Sequence, residues 1–563
     1  MDGAPLSCLR GLIDEHGGEA AFKGWTTSNV KRNIIVPRTQ ATQLSLCAQM
    51  RLEGDPRIQP ATWFVSHPWQ IQFLDLVSAL EEFFADKPGA ILWLDLMSTS
   101  QHATFSKPPQ WWQDTFCSAI GRMGQMVMVM TPWDNPVCLT RAWCLIELYA
   151  CRSSGSNFCV ALPPSERAHF LEQIAERGAA FYGMLSKVNT AKSECSRDSD
   201  RERIFEAVRG LEGGFIALDR SVLQTMTDWL QMQLEQEVAA SAAACLEEEE
   251  WKMATALGRL FQDKGEYGRA LPLLEECLTK RKRAMGENHP QTLLSIDNLA
   301  NLFESMGQYD RALPLHEECL AKRKVILAEQ HPETLVSLGN LANLFESMGQ
   351  YDRALPLAEE CLAKRKQVLG DEHPDSLASL NNLANLLQSM GQYDRALPLS
   401  EACLALRRRV LGEDHPHTLI SLNNLALLFK RTGEQDSALP LYEECLAKSR
   451  RVLGDDHPDT LQSINNIGTL FISTGQYDRA LPLFDECLAK SRRVLGHDHP
   501  DTLETLNNIG ALFFKNGDYF RALLHFEDCL ARYVRALGND HPDTKGTRSW
   551  RDACKRRLAS RLH

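Results

Sequence analysis

A His-Pro pair recurs at residues 289, 331, 373, 415, 457, 499 and 541, always 42 residues apart. A period of that length leaves few folds open. Each unit must be the same small supersecondary element, and the units must stack. The copy "ETLVSLGNLANLFESMGQYDRALPLAEECLAKRKQVLGDEHP", Glu333 to Pro374, shows what the element is. Leu338, Leu341, Leu344 and Phe345 follow a helical spacing, and Gly349 interrupts it. Tyr351, Ala354, Leu355 and Cys361 mark a second helix, and Pro374 stands where the next begins, a position at which a missing N–H costs little. Small residues recur on the first helix as Gly258, Ala300, Ala342, Ala384, Ala426, Gly468 and Gly510, and on the second from Ala270 through Ala522. They let the two helices approach closely, so each unit is expected to be an antiparallel helical hairpin. One hairpin cannot bury its apolar faces alone. Seven stacked copies over 249–542 can, and they would form a curved solenoid with a concave groove.

The same period decides how the 17 cysteines are read. Seven of them, Cys277, Cys319, Cys361, Cys403, Cys445, Cys487 and Cys529, fall one per unit, so they are expected to fill small packing slots as thiols. That fits a reducing compartment, the cytoplasm. The N-terminus lacks a basic stretch followed by an apolar one, so no secretory signal is expected, and no apolar run reaches membrane-spanning length. A formal charge of −12 argues against nucleic acid as a partner.

The motifs "NNLANL", "GQYDRALPL", "ECLA" and "HPDT" resemble the tetratricopeptide repeat (TPR) in its 42-residue form, and more closely the repeats of kinesin light chains. The resemblance implies recognition of a protein or peptide segment in the groove. Residues 236–248 form a linker helix in this reading, too short and irregular for the heptad coiled coil that precedes the repeats of kinesin light chains. Groove-facing positions carry Asn301, Asn343 and Asn385 at one place, and Asn381, Asn423, Asn465 and Asn507 at another. An amide donates and accepts at once, so such a ladder suits clamping an extended backbone. It equally suits bridging neighbouring repeats. Ile472 and Phe514 should make the groove more apolar toward its end, and the basic segment 543–563 should cap the array.

The first half follows a different pattern. Apolar runs at 61–67, 90–96, 126–131 and 157–163 alternate with helical stretches at 73–84, 111–120 and around Glu147. Strands alternating with helices predict an α/β domain over 61–235 with a parallel sheet, and residues 1–60 an extension packed on it. A further edge strand is expected near Met184–Val188. Ligands in such folds sit at the carboxyl ends of the strands, which would gather Ser66, His67, Asp95, Thr131 and Trp133. No P-loop, Gly-rich dinucleotide fingerprint or metal-ligand spacing occurs, so no metal is expected.

"WFVSH", "WLDL" and "AWCLIEL" resemble motifs of the TIR (Toll/interleukin receptor) domain, over roughly residues 60–180. That resemblance implies a flavodoxin-like fold, self-association, and, in some members, NAD+ hydrolysis by a glutamate at the position of Glu147. A carboxylate there would stabilise the positive charge that develops on the ribose. Trp69 or Trp133 could stack on a ring, and Arg141 stands where plant-type members commonly have Ser. No residue three or four positions from Glu147 is basic, so its partner must lie elsewhere. It forms a structural ion pair with Arg122 or another base, binds a ligand without chemistry, or catalyses. The chain is therefore expected to be a two-part adaptor needing no cofactor. A TPR-regulated enzyme with NAD+ as substrate and a kinesin-light-chain-like cargo adaptor are the alternatives.

Overall fold

The computed structural model describes residues 1–102, 117–176, 184–185, 188, 190, 193–194, 198–210, 214–453, 455 and 457–560. The chain divides into two compact units, Met1–Gln233 and Leu234–His563.

The first unit is built on a six-stranded sheet. Its strands are β1 (Asp2–Pro5), β2 (Gln59–Pro60), β3 (Trp63–Ser66), β4 (Ile91–Leu94), β5 (Gln125–Val129) and β6 (Asn157–Ala161), in the order β2-β1-β4-β3-β5-β6. β4, β3, β5 and β6 are parallel. Their near-continuous apolar sequences fit a sheet covered on both faces. β1 adds an antiparallel edge through Ala4 and Pro5, so the N-terminal extension contributes to the sheet itself. Helices α1 (Leu6–Glu15), α2 (Phe73–Phe84) and α3 (Ala142–Ser153) belong to this unit. The helix expected at 111–120 is helical from residue 117 onward, its earlier part lying outside the described residues. Near Met184–Val188, where an edge strand is expected, Met184 and Leu185 are instead helical and buried, and residues 186 and 187 lie outside the described residues.

The second unit is seven helical hairpins and a closing helix. The first helices are Glu247–Asp263, Pro290–Ser305, Pro332–Ser347, Pro374–Ser389, Pro416–Thr432, Pro458–Ser473 and Pro500–Lys515. The second helices are Tyr267–Met285, Tyr309–Leu327, Tyr351–Leu369, Tyr393–Leu411, Gln435–Val452, Tyr477–Val494 and Tyr519–Ala536. Pro542–Ala559 closes the array. The His-Pro signature is a helix start in both residues. Each Pro takes the first turn, and each preceding His accepts the main-chain N–H two residues on at its Nδ1, at 3.2 Å in all seven copies. Such caps contribute about 1 kcal/mol per helix.

The periodic thiols are buried, and each donates to a main-chain carbonyl of the preceding helix, as Cys361 does to Leu335 at 3.3 Å. Arg281, Arg323, Arg365 and Arg407 each reach the next repeat's Ser hydroxyl, at 2.6 to 2.8 Å. These bonds staple the early repeats together. A longer-range contact joins the ends of the array. The ring of His541 closes over Gly307, where no side chain would fit, and Pro500 and His499 sit over Gly265 at the same offset along the chain. The His499 Nε2 lies 3.3 Å from the Asp263 carbonyl oxygen.

Candidate functional site

At the carboxyl ends of β3 and β4 the first unit gathers a polar cluster. Ser66 ends β3 and is buried, and its hydroxyl donates to Glu147 Oε2 at 2.5 Å. Glu147 sits in α3, whose other inward residues are apolar, so its carboxyl enters the cluster from a hydrophobic wall. Burial, reinforced by the nearby Asp95 charge and only partly offset by the Ser66 bond, pushes Glu147 up to about 8. Among the described residues no basic side chain comes within 4.0 Å of it, and Arg122 is exposed, so the expected ion pair is not made. His67 follows Ser66 and is buried, with its Nδ1 3.7 Å from Asp95 Oδ1. Burial disfavours charge on both partners, lowering His67 and raising Asp95. His67 Nε2 and Asp95 Oδ1 have no hydrogen-bond partner. Asp95 Oδ2 accepts from Trp69 Nε1 at 2.8 Å.

Ser66, Glu147, His67, Asp95 and Trp69 thus share one edge of the sheet. Trp133 and Arg141 are engaged differently. Trp133 is buried, donating its main-chain N–H to Glu166 at 2.9 Å and its indole N–H to His169 at 3.0 Å. Arg141 immediately precedes α3, makes no side-chain bond to the helix's free N–H groups, and lies 3.6 Å from Glu194. A residue that the sequence pattern does not point to is Lys31, whose Nζ stands 4.8 Å over the Trp69 ring. It comes from the N-terminal extension, and no spacing in the sequence links it to the first parallel strand.

In the array, amide side chains run from repeat to repeat. Asn343 accepts from Asn382 at 3.3 Å, Asn381 from Asn424 at 3.1 Å, Asn423 from Asn466 at 2.9 Å, and Asn465 from Asn508 at 3.2 Å. Asn507 accepts from Thr547 of the closing helix at 3.0 Å. Asn301 is half-buried, and its main-chain carbonyl accepts from Ser305. Asn385 faces a cleft of about 610 Å³ at repeats 3 to 5, shared with Tyr351, Tyr393, Asn424, Leu427 and Arg431. Along the neighbouring lane the ends of the first helices change character. Glu304 and Glu346 accept from Ser347 and Ser389 of the following repeats, and burial raises both carboxyls. Lys430 follows two repeats later, lowered to about 8 by burial and by Arg431. Ile472 and Phe514 then pack on the apolar core of the last repeats.

The tetratricopeptide-repeat model matches the chain at 252–324, 294–367, 333–397, 375–448, 436–490 and 464–533, together half of its length. The chain belongs to the tetratricopeptide-repeat family. No curated protein matches it. Among solved structures, a kinesin-light-chain candidate of Podosopora anserina with nearly identical TPR-like repeats is similar at 30% identity, over 35% of this chain and 93% of that one, with a TM-score of 0.32. BtubC of P. vanneervenii is similar at 22% identity, over 42% and 94%, with a TM-score of 0.35. A Rap protein complexed with competence and sporulation factor is similar at 12% identity, over 65% and 99%, with a TM-score of 0.44. The TPR array accounts for the periodic His, Gly and Cys residues, and the α/β unit lies outside the matched region. No described helix is long and apolar enough to cross a membrane, and no described cluster of side chains could hold a metal ion.

Proposed function

We propose that this chain is a protein-interaction adaptor whose TPR groove holds an extended segment of a partner protein, while the α/β unit serves as a TIR-like signalling or self-assembly module. The observation that carries the reading is the cleft at repeats 3 to 5, where a family-typical array presents Asn385, Asn424, two tyrosines and Leu427 to one open space. Amides and phenols pair with a peptide backbone, and Leu427 offers an apolar contact for a side chain. Filling the cleft with Leu427→Trp should abolish capture of a partner by the full-length chain while its helical content is kept. Undiminished capture would count against the groove.

A second reading has its own support. A carboxyl raised to about 8, beside a strand-end serine and near the His67–Asp95 pair, has the perturbed environment common at catalytic acids and bases. In this reading the α/β unit cleaves NAD+ at the nicotinamide–ribose bond, with Glu147 facing the sugar and Trp69 flanking a ring. Free nicotinamide released from NAD+ by the whole chain, and not by Glu147→Gln, would support it. Release unchanged in that variant would remove Glu147 from the chemistry.

A further inference from the structure

We propose that the cleft at repeats 3 to 5 is a phosphate-reading subsite, which takes a phosphorylated side chain of the segment held in the groove. The proposal rests on the groove-binding reading above and adds the chemistry of its ligand.

The first helices of repeats 2 to 7 end, at equivalent positions, in Glu304–Ser305, Glu346–Ser347, Gln388–Ser389, Lys430–Arg431, Ile472–Ser473 and Phe514–Lys515. Repeat 5 alone places two cations there. Several cations on the array meet carboxylates, as Lys448 meets Glu413 and Glu444, Arg450 meets Glu486, and Arg451 meets Asp414, while Arg281, Arg365 and Arg407 are held by Ser hydroxyls of the next repeat. Among the described residues, neither Lys430 nor Arg431 has a carboxylate within 4.0 Å. Lys430 spends one N–H on Thr469 Oγ1 at 2.6 Å and keeps two more donors. Of the two, Arg431 lines the cleft, together with the neutral groups of Tyr351, Tyr393, Asn385 and Asn424, while Lys430 stands outside the lining, close enough for the two charges to act on one another.

Cations in the last turn of a helix do gain from its dipole. That gain does not explain the pair, because the corresponding helices of repeats 2, 3, 4 and 6 end without a cation. Two adjacent positive charges repel, and a ligand that neutralises both gains more than one that neutralises one. A phosphate monoester carries about −1.5 to −2 at pH 7 and offers three acceptor oxygens, whereas a single carboxylate balances one charge. A run of acidic residues is disfavoured on the same lane, because Glu304 and Glu346 precede the cation pair. One concentrated dianion fits that order of charges. Leu427 and Met390 supply apolar contact for the carbon chain that bears it.

The test uses the full-length chain and fluorescein-labelled 12-residue peptide pools, with random flanks around a central phosphoserine or phosphotyrosine. Matching pools carry the unphosphorylated residue or glutamate. Fluorescence anisotropy should show at least one phosphorylated pool bound tenfold or more tighter than its unphosphorylated and glutamate counterparts. Arg431→Gln should remove most of that preference and Lys430→Gln a smaller part of it, neither lowering the melting temperature, since neither breaks an ion pair. Equal binding of all pools, abolished by Leu427→Trp, would overturn the phosphate subsite and leave the groove reading standing. A glutamate pool as tight as the phosphorylated ones, or variants that bind like the unaltered chain, would also overturn it. No binding of any pool would overturn both.

Discussion

A carboxyl group crowded by protein, with a serine hydroxyl as its partner, is held at a cost that pH controls. Glu147 is raised from 4.5 to about 8, chiefly by burial. Below about pH 4.5 both the folded and the unfolded chain carry the proton, and the group costs nothing. Between 4.5 and 8 the folded state retains a proton that the unfolded state releases, so stability falls as pH rises. Above 8 both are ionised and the loss is complete, at about 1.4 kcal/mol per pH unit separating the two values. Glu147→Gln keeps an oxygen to accept from Ser66 and removes the ionisation. It should therefore melt several degrees above the unaltered chain at pH 9, with the difference vanishing at pH 4. Equal melting temperatures at pH 9 would show that the carboxylate is solvated in the folded state. The residue's isolation could be read from its helix, where no base lies three or four positions away. Its partner could not. Ser66 lies 81 residues earlier, and only the parallel pairing of β3 with β5 brings the strand end and α3 together. The same holds for Lys31 over Trp69, which no local pattern joins.

Between the two helices of a repeat, size on one is matched to size on the other. A Cβ added at Gly468 would lie 2.7 Å from the Phe484 ring, and one at Gly510 2.8 Å from Phe526. Repeat 3 solves the same crossing with Ala342 and Ala358, both buried. Gly468→Ala should thus be pulled two ways. Helix propensity favours alanine by about 1 kcal/mol, and overpacking against the ring costs about 1–3 kcal/mol. The expected result in denaturant melts is a net loss, turning into a gain of about 1 kcal/mol in a Phe484→Ala background. A gain in both backgrounds would mean that the ring yields freely. This pairing was half legible: the small residues recur in the sequence, but which large side chain each one faces depends on the hairpin. The array's helices followed from the period because every unit repeats the same signals. The α/β unit offers each signal once. Its four parallel strands announce themselves as apolar runs, whereas Met184 and Leu185 lie in a sequence of strand-like composition and are helical. β1 gives no such signal, because four residues are too few to carry a periodicity.

In a simple solenoid each repeat touches its neighbours, and stability adds up from local terms. This array departs from that scheme, since the turns of repeats 1 and 2 meet the starts of repeat 7 and the closing helix. Tyr267, at the start of the second helix of repeat 1, packs on the apolar cluster formed by repeats 5 to 7 and the closing helix. No period in the sequence predicts such a contact, which depends on the pitch that many small helix crossings build up. It has a consequence for unfolding. If the ends support one another, loosening repeat 1 should loosen repeat 7. Tyr267→Ala should speed amide exchange in Pro500–Lys515 about tenfold, the effect of losing roughly 1.4 kcal/mol of local stability. Tyr351→Ala, the equivalent change in repeat 3, makes no contact with that helix and should leave its exchange unaltered. The same exchange in Pro500–Lys515 for both variants would mean that the ends do not couple.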